Sequence, residues 1–200
     1  MSDGKPQDKL HDKMPDVLHS KWQYDVLSFW FEELTPKQWY QSTNAVDDTI
    51  RNQFERLIAL IASSSSDFLG LDARKLLAAI IVLDQFPRNI YRGSPAAFEY
   101  DQIALDLAEY AVTHGFDSRM SQSERQFCYT PFMHSENIET QNQSLELFNS
   151  LGNKGAISAA IEHRDIIEQF GRFPHRNKVL NRQSTQEEIQ YLTHAKRFGQ

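Results

Sequence analysis

Apolar residues recur at helical spacing along most of the chain after residue 20, and this periodicity constrains the fold more than any other feature. One clear stripe lies within residues 45–62 and is formed by Ile50, Phe54, Leu57, Ile58 and Ile61. The sequence contains no alternating run, rich in β-branched residues and bounded by turn signals, of the kind typical of a strand. We therefore predict an all-α protein of seven to eight antiparallel helices.

Capping residues and helix breakers divide the helical stretch into segments. Asp72 is a suitable N-cap for a helix that Pro87 should end, because proline lacks a backbone donor and disfavours helix at the preceding residue. Ser121 to Glu124 and Ser184 to Glu187 have the spacing of capping boxes. The predicted helices cover residues 22–34, 45–62, 72–85, 95–114, 121–131, 135–151 and 155–170, with a last one from 184 onward.

The composition is that of one globular domain. Apolar residues make up 40% and charged residues 24% of the 200 positions, which is typical of a folded chain. Residues 1–20 are polar and of mixed charge, so we expect a mobile tail there and a single all-helical domain over 21–200.

Charge and cysteine content exclude several classes of protein. The net charge is −6 and no basic run is present, so we predict no nucleic-acid partner. The longest apolar stretch, residues 76–83, is too short to cross a bilayer, so we predict no membrane association. Cys128 is the single cysteine and the first residues lack the features of a targeting signal, which favours a cytoplasmic protein.

A short motif occurs twice, each time next to an amphipathic helix. The first copy is Phe86-Pro87-Arg88-Asn89 and the second is Phe173-Pro174-His175-Arg176-Asn177. Both copies have a structural interpretation, in which Pro stops a helix, Phe anchors the turn in the core and Arg complements the helix dipole. On that interpretation the two junctions serve folding only.

Charge around the two junctions supports a functional interpretation. Residues 163–182 contain five Arg or Lys and two Asp or Glu, a net of +3 in an acidic protein. An Arg fork matches a carboxylate or a phosphate, so we predict a pocket for a small anionic metabolite where the junctions meet. The neutralising group would be that ligand, or an acid from elsewhere such as Glu136 or Asp84. The predicted binding residues are Arg88, Asn89, Arg92, Arg172, Arg176 and Asn177.

Three residues near the junctions are candidates for proton transfer. They are His134, Glu136 and His175, because histidine titrates near neutral pH and Glu136 could orient His134 or pair with an arginine. Ser135 is expected to cap the following helix. No spacing matches a set of metal ligands, so we predict no metal and no cofactor. Whether a reaction is catalysed stays open.

Several segments together resemble a known family. They are Phe29-Trp30-Phe31, residues 83–89 with Arg92-Gly93, Pro131-Phe132 with His134-Ser135-Glu136, residues 170–177, and Ser184-Thr185 with Glu187-Glu188. These segments, spread from about Trp22 to Leu192, resemble the bacterial domain-of-unknown-function 924 family. The resemblance implies an all-helical, tetratricopeptide-like stack of helix pairs and implies no reaction. An alternative function is therefore a tetratricopeptide-like module whose groove binds a peptide or a partner protein without catalysis.

Overall fold

The computed structural model describes residues 21–64 and 72–194, and the tail predicted for residues 1–20 lies outside this range. The described residues form nine α-helices: α1 (Trp22–Ser28), α2 (Pro36–Tyr40), α3 (Asn44–Ser63), α4 (Ala73–Ile90), α5 (Asp101–Thr113), α6 (Gln122–His134), α7 (Ile138–Leu151), α8 (Lys154–Phe170) and α9 (Gln186–Leu192). These residues contain no strand, which confirms the all-α prediction. The short helix α2 accounts for the count being higher than seven to eight.

Helix α4 forms the centre of the core. It packs against α1, α3, α5 and α6. Its eight residues from Leu76 to Leu83 are all buried, because neighbouring helices cover it on every side. The predicted stripe of α3, from Ile50 to Ile61, is buried against α4 as expected. None of the described helices is long and apolar enough to cross a bilayer.

Helices α6, α7 and α8 form the second part of the molecule. Helix α7 packs against both α6 and α8, and α6 also contacts α8. A small separate cluster of Ile166, Ile167 and Phe173 packs against Phe170 and Tyr191, which holds α9 close to the end of α8. Gly171 ends α8 with a φ of +68°, a conformation that favours glycine.

Two prolines that we expected to end helices lie inside them. Pro87 lies within α4 and Pro131 lies within α6, so the predicted ends at these residues were wrong. Both prolines are buried, together with Phe86, Ile90 and Phe132 on the same turns. Burial of these apolar side chains stabilises the helix enough to continue past the proline, because packing outweighs local propensity.

Three other predicted boundaries also need correction. The helix predicted for 95–114 is a 3₁₀ turn, Pro95–Phe98, followed by α5, which begins at Asp101. Asn137 caps α7, whereas Ser135 is the C-cap of α6. The last capping box is formed by Thr185 and Glu188, one residue later than predicted. The capping box of Ser121 and Glu124 and the Asp72 N-cap are confirmed.

A π-helical turn follows α1 and positions one wall of the site described below. It covers Phe29–Glu33 and leaves the carbonyl of Trp30 near the end of the helix. The indole Nε1 of Trp39, on α2, donates to this carbonyl at 2.7 Å. The Trp39 ring also lies 5.1 Å from that of Phe127 on α6, so α2 is held against α6.

Candidate functional site

The two junctions converge on one carboxylate. Arg88, near the end of α4, donates to both oxygens of Asp101 at 2.9 and 2.8 Å. Arg176, in the 3₁₀ turn Pro174–Arg176, donates from Nη1 to Oδ2 of the same Asp101 at 3.3 Å. The break between Phe98 and Asp101 places this carboxylate in the first turn of α5, between the two guanidinium groups. Residues 88 and 176 are thus joined through Asp101.

His134, the last residue of α6, lies beside this cluster. Its Nδ1 lies 2.7 Å from Oδ1 of Asp84, and its backbone carbonyl accepts from Nη2 of Arg176 at 3.0 Å. Asp84 is only 1% exposed and also contacts Arg88, at 3.3 Å, and the side-chain amide of Gln85. The imidazole of His134 therefore rests on a buried carboxylate that an arginine also stabilises.

Burial and charge fix the protonation state of the Asp84–His134 pair. Burial alone would raise the pKa of Asp84, but Arg88 and His134 outweigh it and lower the pKa, so the carboxyl is ionised. Burial, with Arg88 second, lowers the pKa of His134, against the opposing effect of Asp84. An ionised carboxylate only accepts, so Nδ1 of neutral His134 carries the proton. Its Nε2 then has a lone pair, and it has no hydrogen-bond partner among the described residues.

Arg176 is the least compensated cation of the cluster. Burial and the neighbouring charge of Arg88 together lower its pKa to about 10, against the opposing effect of nearby acids such as Asp101. Its guanidinium carbon lies 4.6 Å from the ring centroids of both Phe98 and Phe173, so the two rings enclose it. Two guanidinium groups share Asp101 here, and Arg88 also has Asp84.

Two cavities adjoin the cluster, and His134 lines both. The larger has a volume of about 550 Å³, and its walls include Arg88, Asn89, Arg92, His134 and His163. In the part of the chain that the structure describes, no carboxylate lines this cavity. The smaller cavity, of about 390 Å³, is lined by Asp101, Glu136 and Arg176 among others. The two cavities differ in charge, since the larger presents arginines and the smaller also presents acids.

Other predicted site residues lie elsewhere. Arg172 and Asn177 both bind Glu188, at distances between 2.6 and 3.2 Å, and so hold α9. Arg172, Asn177 and His175 are not among the described residues that line either cavity. Burial and the charge of Arg176 lower the pKa of His175 to about 4.

Glu136 does not orient His134; it pairs instead with an arginine that follows the second junction. Its two oxygens accept from Arg182 at 2.6 and 2.9 Å, and one also accepts from the backbone N–H of Phe173 at 2.7 Å. Burial would raise the pKa of Glu136, but these donors lower it. Glu136 therefore fixes the second junction in place, and Asp84 orients the histidine.

Acidic residues neutralise the arginines of both junctions. Besides the pairs above, Arg92 binds Asp47 at 2.8 Å. The sequence left open whether a ligand or acids from elsewhere in the chain neutralise these arginines. The fold supplies acids, and Asp84 and Glu136 are among them. A ligand is therefore not needed to relieve repulsion between the arginines. Any anion must use the N–H groups that these acids leave open.

Three functional candidates were not among the predicted site residues. No local pattern marked Asp101 as a site residue, because the sequence predicted one continuous helix across the break that precedes it. His163 lies on α8 with its ring centroid 6.4 Å from that of His134, and burial lowers its pKa to about 3. Trp39 lines the larger cavity, whereas its sequence context indicated a core residue. Within the described residues, no group of three or more His, Cys, Asp or Glu side chains is arranged to hold a metal ion.

The fold and the site together define an all-helical protein with a cavity beside a buried Arg–Asp–His network. The chain belongs to the family described as bacterial protein of unknown function (DUF924), whose model matches residues 26–196. It is similar to the solved structure of a protein of unknown function from Agrobacterium tumefaciens, with 36% identity and a TM-score of 0.82. That match covers 86% of this chain and 97% of the other. No curated protein matches the chain.

Proposed function

We propose that the larger cavity binds a small organic anion, carboxylated or phosphorylated, and that His134 accepts a proton from the bound molecule or from a water beside it. The observation that carries this proposal is the buried Asp84–His134 pair at the cavity wall, with Nε2 of His134 unpaired among the described residues. A neutral histidine oriented by a carboxylate is a suitable general base.

Arg88 supports the anion-binding part of the proposal. Of its five N–H groups, the two on Nη1 and one on Nη2 bond to the backbone carbonyl of Asp84 and the carboxylate of Asp101. The N–H on Nε and the second N–H on Nη2 have no partner among the described residues, and Arg88 lines the cavity. Asn89 and Arg92 line the same wall. An incoming carboxylate would therefore meet donors that Asp84 and Asp101 have already aligned.

Binding is tested by thermal unfolding of the full chain with inorganic phosphate, acetate, benzoate, citrate and glucose 6-phosphate. A probe at tenfold its Kd should stabilise the fold by about 1.4 kcal/mol, which raises the Tm of a chain of this size by about 3 to 6 °C. Arg92→Gln should reduce this increase, because it removes a cation from the wall that also carries Arg88. Arg164→Gln is the matched control, since Arg164 is also paired with carboxylates and is not among the described residues lining either cavity. The binding proposal is wrong when no probe raises the Tm of the wild type.

The proton-acceptor role is tested separately by nitrogen NMR of the labelled imidazoles, with His134→Gln for assignment. We expect His134 to be neutral at pH 7, with its proton on Nδ1. A protonated imidazole, or a proton on Nε2, would rule out His134 as the acceptor. Either result would leave the binding test unaffected.

A further inference from the structure

The larger cavity extends along α6, with different chemistry at its two ends. Gln126 and His134 both line it and are eight residues apart on this helix, which corresponds to about 12 Å. Gln126 bonds to Asn153 at the start of α8, whereas His134 lies beside His163, nine residues from that start. Arg88 contacts Asp84, the partner of His134, so the guanidinium of Arg88 and the imidazole share one end.

Apolar side chains form much of the wall between these ends. They come from three elements: Trp39 after the π-helical turn, Phe127 and Met133 on α6, and Phe148 on α7. On the opposing helix α8 the lining residues Ala156 and Ala159 are small, which leaves room for a ligand body. Such a wall favours an apolar body and offers few partners to hydroxyl groups.

The polar residues near the Gln126 end are already hydrogen-bonded to one another. Gln126 binds the hydroxyl of Tyr40 through its amide nitrogen and Asn153 through its oxygen. Thr130 donates to the carbonyl of Gln126 at 2.8 Å. The side-chain oxygen of Asn153 accepts from the backbone N–H groups of residues 155 and 156. A polyhydroxylated ligand would leave many of its hydroxyls unsatisfied at this end, and unsatisfied buried polar groups oppose binding.

From this distribution we infer that the ligand class is a monocarboxylic acid with an aliphatic or aromatic body, rather than a sugar phosphate or a polycarboxylate. This inference rests on the proposed function. The carboxylate binds the open N–H groups of Arg88, and the body extends along α6 over Met133 and Phe127. One anionic head suffices, because the remaining wall has few open donors among the described residues.

The inference is tested by calorimetric titration of the full chain with acetate, butyrate, hexanoate, octanoate, citrate, hexan-1-ol and glucose 6-phosphate. We expect affinity to rise by about fourfold per buried methylene group, so hexanoate should bind about 16-fold more tightly than butyrate. Hexan-1-ol, which has the same body without the charge, should bind at least tenfold more weakly than hexanoate.

Filling the cavity provides a second measurement. Ala159→Leu should weaken hexanoate binding by at least tenfold, whereas Ser158→Leu, an exposed position on the same helix, should leave it unchanged. Ala156→Leu replaces Ala159→Leu when the latter does not fold. Equal hexanoate affinity in the cavity-filling variant and in Ser158→Leu would overturn the inference.

The outcomes separate this inference from the function on which it rests. Glucose 6-phosphate or citrate binding as tightly as hexanoate, with no dependence on acid length, would overturn the monocarboxylate class and retain the anion site. Hexan-1-ol binding as tightly as hexanoate would overturn anion recognition itself. Absence of binding by every probe would overturn both.

Discussion

Replacing Asp101 by Asn should destabilise the protein more than replacing any exposed acid by its amide, because Asp101 joins the two junctions. The change keeps the shape of the side chain and one acceptor oxygen, and it removes the negative charge that Arg88 and Arg176 share. Arg176 is 94% buried, since its exposure is 6%. Among the described residues, Asp101 is the single carboxylate that forms an ion pair with Arg176. Asp101→Asn therefore leaves a buried cation without an ion-pair partner among the described residues.

The magnitude follows from the contacts. Breaking a buried ion pair by removing one partner costs about 3 to 5 kcal/mol. The lower end applies, because Asp101 is 22% exposed and Arg88 retains Asp84. We therefore expect the free energy of unfolding to fall by about 3 kcal/mol and the Tm by about 6 to 12 °C. Urea denaturation followed by circular dichroism measures this change, and the slope m should be unaltered.

A matched control separates the ion pairs from the helix dipole. Asp101 lies in the first turn of α5, where an acid stabilises a helix by about 0.3 to 1 kcal/mol without any partner. Glu139 lies in the first turn of α7, is exposed, and forms no ion pair with the described residues. Glu139→Gln should therefore cost less than about 1 kcal/mol. Equal losses in Asp101→Asn and Glu139→Gln would refute the role assigned to the shared carboxylate.

Three further predictions concern two buried histidines, the buried cysteine and a glycine at a helix end. Burial lowers the pKa of His163 to about 3 and that of His175 to about 4, from 6.5, so the unfolded chain binds more protons and stability falls as the pH drops from about 6.5 towards 4. Each histidine contributes up to about 1.4 kcal/mol per pH unit, and equal urea-unfolding free energies at pH 7 and pH 5 would contradict this. Burial raises the pKa of the Cys128 thiol, so a thiol reagent such as DTNB should react with it only in denaturant; fast labelling of the native protein would show that the thiol is accessible. Gly171→Ala should cost about 1 kcal/mol in urea unfolding, because alanine is strained at a φ of +68°, whereas Gly155→Ala, where φ is not positive, should be nearly neutral.

Local signals in the sequence predicted local structure well. The stripe of α3, the Asp72 N-cap and the Ser121–Glu124 capping box each depend on residues within a few turns of one another, and all three are present. Pro87 and Pro131 failed as helix ends because their effect competes with burial in the core, which a local pattern does not contain. The break before Asp101 was not predicted for the same reason, because a local pattern does not show how the segment packs in the core.

The candidate site depends on contacts between distant residues, so the sequence indicated only some of its members. The doubled Phe-Pro motif pointed to Arg88 and Arg176, which do meet at Asp101. It did not distinguish them from Arg172 and Asn177, which bind Glu188 instead. His134 was a candidate because of its chemistry, but its partner Asp84 is 50 positions away. Pairing at such separations follows from the packing of α4 against α6.

The shared carboxylate also relates the site to the order in which the chain is synthesised. Asp101 is 75 positions before Arg176, and the carbonyl of residue 134 is 42 positions before it. A nascent chain that has emerged only as far as α8 contains Asp84, Arg88 and His134, but it lacks the cation that ties α5 to α6. We expect these contacts to form late in folding, because closing long loops costs entropy before the contacts stabilise the fold. Such a chain would contain every described lining residue of the larger cavity, whereas the smaller cavity would lack Arg176 and Leu180 from its wall.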